Sequence, residues 1–354
     1  MEHNAAKTGL FNSKSLGIIA VLVIAIGLWL ARARIHFDWR SLGVQLRSVS
    51  IPSILIAIGV IYLCYVLRAA RWSILLGPIH RTSTVKMLGP QLIGFALVGL
   101  FGRVADLARP YLIARRTQTA VATQLAIYSI ERAFDVGAAA ILFSITLAFA
   151  PHNMPHHEAF ARAGAVALAA TVCLVVFAVA LRVAGARIAA LAEKLVYPLS
   201  PKLAATATTH ILSFSQGLRI VSTLREFLLA LILSLLMWLG VAGAYLEGAH
   251  AFAASPQLAG FTFAATMLLM ATSMGGSVLQ LPVIGWFTQI ALLAAALHAF
   301  FDVPLETASA CGAVLLFIMN LSVIPAGLIA ARVEGISLMD AAKSPQPEAI
   351  AADV

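Results

Sequence analysis

Charge is scarce in this sequence. Asp, Glu, Lys and Arg supply 11% of its 354 residues, where ordinary soluble domains carry about 25%. Hydrophobic residues supply 61%, and mean hydropathy is +0.94. A soluble core of this size has no room for so much apolar surface, so the natural solvent is a bilayer. Cysteine is equally sparse. Cys64, Cys173 and Cys311 lie in apolar runs without CxxC spacing, which excludes a disulfide scaffold and reads as small buried hydrophobes. GxSxG, HExxH and Walker A patterns are missing, which leaves hydrolase, metalloprotease and ATPase readings without support. No catalytic residue, metal or cofactor is expected.

The fold class expected is an all-α polytopic integral membrane protein. Apolar stretches long enough to span, at roughly 20 residues each, lie at about 16–33, 51–68, 119–149, 161–182, 226–249 and 304–331. The first runs on into Arg32 and Arg34 without a small-residue cleavage site, so it reads as an uncleaved first span rather than a signal peptide. Two more regions are apolar but interrupted: 84–102, with Gly89-Pro90, Gly94, Gly99 and Gly102, and 258–300, with Gly275-Gly276, Pro282 and Gly285. Such breaks are tolerated at membrane depth where protein or a water-lined cavity satisfies the freed backbone. Six spans plus two re-entrant hairpins or broken helices, one in each half, is the resulting expectation. Residues 1–15 read as a cytoplasmic tail, 16–333 as the membrane domain with interfacial helices at about 186–225, and 334–354 as a disordered tail.

The formal net charge of +9 fits basic segment ends meeting anionic headgroups, not nucleic acid. Loops 150–160 and 249–257 lack Lys and Arg, whereas 182–225 carries six. The positive-inside rule places the former outside and the latter in the cytoplasm. A hairpin at 84–102 dipping from the cytoplasm then fits its basic flanks, but leaves Arg32, Arg34, Arg40 and Arg47 outside, against the rule. His152, His156 and His157 match no metal spacing and read as an exterior loop.

Two charged stretches stand out. In GRVADLARPYLIARR, 102–116, Arg103, Asp106 and Arg109 follow a spacing of three, so a helix places the carboxylate between two guanidiniums. Arginine's planar fork suits phosphate, and the glycine-rich approach lets an anion reach backbone N–H groups. An ordinary interfacial anchor is the alternative. In IYSIERAFDVG, 127–137, Glu131, Arg132 and Asp135 sit well inside a span, where each charge costs at least roughly 2.5–3.5 kcal/mol and must pair or face a polar cavity. Glu131 and Asp135 share a face, and Arg103 or Arg109 is the expected cation between them. A structural ion pair locking two helices is the alternative.

YVLRAARW at 65–72, GRVADLARPYLIARR at 102–116, ERAFDVG at 131–137 and the Gly/Pro-broken segment at 275–291 occur in the order of one family. Over about 16–333 the chain resembles the flippase-like membrane domain of lysylphosphatidylglycerol synthases and its stand-alone homologues. The resemblance implies movement of a lipid with a charged or glycosylated headgroup between leaflets of the cell membrane: an anionic phospholipid, an aminoacylated one or a polyprenyl-phosphate lipid. The family's GR maps onto Gly102-Arg103, its acid onto Asp106, its next arginine onto Arg109 and its ER pair onto Glu131-Arg132. Arg103, Arg109 and Asp106, with Arg68 and Arg71 of the first motif, are then expected at the lipid phosphate. Glu131, Arg132 and Asp135 are expected to line a polar track. Gly99, Gly102, Gly275, Gly276, Pro282 and Gly285 are expected in facing gates. The chain departs from the pattern in two places. Gly-Glu is Ala105-Asp106, and the PGGxGxxE-type element appears as LPVIGWFTQ, 281–289, with Thr288 at the glutamate position. Aminoacyl transfer in such proteins resides in a separate soluble domain, for which no room is expected here. Two other functions remain open: a non-transporting partner of a lipid synthase or glycosyltransferase, and a membrane-embedded enzyme. An acid among arginines is a poor base, which weighs against the enzyme.

Overall fold

The computed structural model describes residues 38–149, 157–198, most of 200–212, 223–276 and 284–336. Every regular element among them is helical. The expected span at 16–33, His152 and His156, Pro282, the stretch 213–222 and the tail beyond 336 lie outside the described residues.

An exposed helix, α1 (Trp39–Arg47), is capped by Asp38, which accepts from Arg40 N at 2.8 Å. It leads into α2 (Ile51–Leu76), which starts with Pro52 in its first turn, where a missing N–H costs nothing. At 26 residues α2 rises about 39 Å, enough to cross a hydrocarbon core of about 30 Å. The 27-residue α7 (Leu224–His250) opens on a capping box, Thr223 with Glu226. It runs antiparallel to α2: Ser50 N donates to Ala251 O at 2.9 Å, and Arg71 Nη1 donates to Ser234 Oγ at 2.6 Å. Between them lie α3 (Thr84–Phe101), a five-residue 3-10 turn (Arg103–Leu107), α4 (Ala108–Thr117), α5 (Val121–Ala148) and the long α6 (His157–Val196), which kinks at Ala184. After α7 come α8 (Phe263–Gly276) and α9 (Ile284–Phe301). The chain then follows α10 (Leu305–Leu316), a π turn (Phe317–Leu321) and α11 (Val323–Val333).

Four helical stretches among the described residues are long and apolar enough to cross a membrane: 51–76, 84–101, 224–250 and 305–333. The outer surface agrees. Ile51, Leu55 and Leu63 on α2, Val136 on α5, and Ile232, Leu236 and Leu239 on α7 are exposed, an arrangement that water penalises and lipid does not.

The first interrupted region departs from expectation. α3 is one uninterrupted helix through Pro90, Gly94 and Gly99, and the chain breaks only at Gly102, whose φ of 78° favours glycine. The interior glycines admit neighbours instead of breaking the helix. A Cβ on Gly94 would overlap Arg109 Cγ, and one on Gly99 would lie 2.8 Å from the Asn320 carbonyl. α11 packs along α3 the same way, with Gly327 against Ala96 and Leu92. Small residues at such crossings let backbones approach within a bilayer. Gly327→Leu is therefore expected to cost about 1–3 kcal/mol by overpacking, read as a lowered unfolding temperature of the detergent-purified protein. In the second interrupted region α8 and α9 pack on one another, separated by 277–283.

Candidate functional site

α2 presents Arg68 and Arg71 one turn apart, and α5 presents Glu131, Arg132 and Asp135 toward them. Arg71 reaches Glu131 at 2.8 Å and Asp135 at 2.6 Å, and Arg68 reaches both at 3.2 Å. Arg132 approaches the same two carboxylates at 3.4 and 3.0 Å. The cations between Glu131 and Asp135 are thus Arg68, Arg71 and Arg132, not Arg103. Arg109 reaches Glu131 alone, at 3.3 Å. The 3-10 turn accounts for this: it holds Arg103 and Asp106 outside α4, while α4 carries Arg109 inward to fill the notch left by Gly94.

Arg109 is fully buried. Its Nε donates to Asp106 Oδ1 at 3.0 Å and its Nη1 to Gln91 Oε1 at 3.1 Å, with the guanidinium carbon 4.5 Å from the Phe95 ring centre and 5.3 Å from that of Tyr128. The Tyr128 hydroxyl donates to Asp106 Oδ2 at 2.6 Å. Burial pushes the Asp106 carboxyl up, but Arg109, Arg132 and the Tyr128 hydroxyl together hold it below its ordinary value. Asp106 is an anchor for Arg109, already supplied with donors on both oxygens.

Burying this many charges is tolerable only because they pair. Four arginines (68, 71, 109 and 132) against three carboxylates (106, 131 and 135) leave one net positive charge. Availability differs sharply along the set. The Arg71 and Arg109 side chains are 1% and 0% exposed, Arg68 is 12% and Arg132 is 35%, and Arg103 is exposed.

Arg68, Arg103, Asp106 and Arg132 supply the charged lining of a partly open cavity of about 230 Å³ between α2, α3, the 3-10 turn, α5, α7, α8, α9 and the π turn. Arg71 and Arg109 lie behind its wall. Phe95, Tyr65, Trp238 and Met270 form apolar sides. In the same lining Tyr245 and Ser273 share a hydrogen bond of 2.8 Å, Gln289 Nε2 donates to Ser273 Oγ at 3.1 Å, and Asn320 Nδ2 donates to Gln289 Oε1 at 3.3 Å. Sequence reasoning passed over these four and singled out Thr288, which is absent from the lining where its neighbour Gln289 is present. Each stands within two residues of another polar side chain in an apolar stretch (Glu247, Thr272, Thr288 and Ser322), so nothing in the sequence set it apart. Of the expected gate residues, Gly99 accepts from Trp286 Nε1 at 3.0 Å, Gly102 ends α3, Gly275 and Gly276 end α8, and Gly285 is buried in the first turn of α9.

The family model for the lysylphosphatidylglycerol synthase TM region matches residues 17–327. No curated protein and no solved structure matches the chain. With nearly the whole described bundle inside the match, the chain belongs to that family: it is a multi-pass membrane protein of a domain associated with lipid synthesis or flipping.

Proposed function

We propose that this member of the lysylphosphatidylglycerol synthase TM-region family moves a phosphate-bearing lipid between leaflets of the cell membrane. The observation that carries the reading is a cavity bordered by α2, α3 and α7, helices long and apolar enough to cross a membrane, whose lining holds three arginines (68, 103 and 132) and one carboxylate, Asp106. Arg103 and Arg132, with the edge of Arg68, receive the phosphate. Arg71 and Arg109 hold Glu131 and Asp135 in place and touch no lipid. At about 30 Å³ per water, 230 Å³ holds about eight waters' worth of matter, so a headgroup fits and acyl chains stay outside among the helices. α8, 14 residues and about 21 Å long, is short for a span and forms with α9 the re-entrant gate. Transport is passive or ion-coupled, and no headgroup chemistry occurs.

The reading is tested in liposomes holding the purified protein and a fluorescent phosphatidylglycerol, with a membrane-impermeant quencher added outside. Wild type is expected to expose inner-leaflet probe to the quencher. Arg103→Gln combined with Arg132→Gln is expected to slow that phase at least about tenfold, the loss of two charge-assisted contacts, while the protein stays folded. If wild-type liposomes quench no faster than protein-free ones, the non-transporting partner of a lipid synthase or glycosyltransferase becomes the better reading.

A further inference from the structure

Resting on that reading, we infer that Arg132 is the surplus cation of the buried cluster and trades its carboxylates for the lipid phosphate, with Tyr128 as the positioning residue that holds it at the cavity. Without Arg132 the cluster sets Arg68, Arg71 and Arg109 against Asp106, Glu131 and Asp135, three charges of each sign. The hydrogen bonds agree with that count. Arg68 and Arg71 donate to Glu131 Oε1 at 3.2 and 2.8 Å, Arg109 donates to Glu131 Oε2 at 3.3 Å, and Arg68 donates to Asp135 Oδ2 at 3.2 Å. Arg71 Nη1 lies 2.6 Å from Asp135 Oδ1. Arg132 is held to the same carboxylates by charge alone: among the described residues its buried Nε and Nη2 make no hydrogen bond. The internal stretches 150–156, 213–222 and 277–283 contain no Asp or Glu to claim it instead. Arg132 can therefore turn to a phosphate without leaving a bare carboxylate, the costly outcome for a buried pair.

Tyr128 stands one turn before Arg132 on α5. The Arg132 guanidinium carbon lies 5.2 Å from the Tyr128 ring centre, a distance at which a ring attracts a cation without consuming its N–H donors. The ring is tied down in turn by its hydroxyl, which donates to Asp106 Oδ2 at 2.6 Å on the 3-10 turn. Arg132 and Asp106 both line the cavity, and Tyr128 does not, so Tyr128 acts through Arg132. When the lipid leaves, Glu131 and Asp135 reclaim the guanidinium. The site thus competes with its own ligand, which favours release over tight capture.

The test is native mass spectrometry of the full-length protein, purified in detergent with equimolar phosphatidylglycerol and diacylglycerol, which lacks the phosphate. Unfolding temperatures are read alongside. Arg132→Gln is expected to lower the ratio of retained phosphatidylglycerol to diacylglycerol about tenfold, yet to unfold within about 2 °C of wild type. Arg71→Gln is expected to unfold at least about 6 °C lower or to yield no folded protein. Tyr128→Leu is expected to lower the ratio about fivefold, and Tyr128→Phe, which keeps the ring, by less than about twofold. Tyr128→Leu added to Arg132→Gln is expected to lower it no further than Arg132→Gln alone, a result that a merely structural role for Tyr128 does not produce. Losses that add in the double variant overturn the inference. So does an Arg132→Gln protein that unfolds as early as Arg71→Gln, or a folded Tyr128→Leu protein with the wild-type ratio. Failure of the phosphate reading is distinct: Arg103→Gln and Arg132→Gln would then both keep the wild-type ratio, whereas the inference fails alone if Arg103→Gln lowers the ratio and Arg132→Gln does not.

Discussion

Glu131→Ala is expected to abolish recovery of folded protein, not merely to slow transport. Glu131 is fully buried and is the one carboxylate contacted by Arg68, Arg71, Arg109 and Arg132 together. Its removal leaves a cluster with four guanidiniums and two carboxylates at membrane depth. Breaking a buried pair from one side costs about 3–5 kcal/mol, and whole domains are stable by only about 5–15. Glu131→Gln preserves the volume and one acceptor but not the charge, so an intermediate loss is expected. Size-exclusion profiles and unfolding temperatures in detergent check the order wild type, Gln, Ala. Adding Arg109→Met to Glu131→Ala is expected to recover part of the loss, because the double change removes an unpaired cation as well. A Glu131→Ala protein as stable as wild type would show that the cluster is not what joins α2, α4 and α5.

Gly94→Leu is expected to be nearly as damaging, although no charge is touched. Arg109 Cγ occupies the space a side chain at 94 needs. Arg109 must then leave its contacts with Asp106, Gln91, Glu131 and the Phe95 face, taking one of four cations from Glu131 and leaving Asp106 with the Tyr128 hydroxyl. A loss of about 3–5 kcal/mol follows from the broken pairs, with overpacking added. Gly94→Ala is expected to fail in the same direction, since the overlap begins at Cβ. Gly137, in the interior of α5 with nothing within 4 Å of an added Cβ, is the control. There alanine is expected to be neutral or to raise stability by up to about 1 kcal/mol through helix propensity. If Gly94→Ala and Gly137→Ala unfold at the same temperature, the notch does not hold Arg109.

That contrast explains what the sequence disclosed and what it did not. Spans at 51–68, 226–249 and 304–331 were legible because lipid selects long apolar runs directly, and the described helices 51–76, 224–250 and 305–333 cover them to within one residue. The charged residues were legible for the opposite reason: a carboxylate inside an apolar run demands a partner. The choice of partner was not, since Arg68 and Arg71 lie some sixty residues before Glu131 and only helix packing brings them together. Gly94 was misread as a break because a glycine that interrupts a helix and one that admits an arginine look alike until the neighbour is known. Tyr245, Ser273, Gln289 and Asn320 come from four separate elements, and none is unusual where it stands.

The π turn at Phe317–Leu321 has a last consequence. Ser322 N reaches back five residues to Phe317 O at 2.8 Å, and the Tyr62 hydroxyl donates to the Ser322 carbonyl at 2.9 Å. Such a turn amounts to one residue inserted into an α-helix, and each residue of a regular helix advances the face by about 100°. A chain one residue shorter here would still be continuously helical and just as apolar. Yet α11 would emerge rotated by about a quarter-turn or more, carrying Gly327 away from α3 and Asn320 away from Gln289. The length of the chain through this turn, not its hydropathy, keeps the helix that closes the cavity in phase with the helix it closes against.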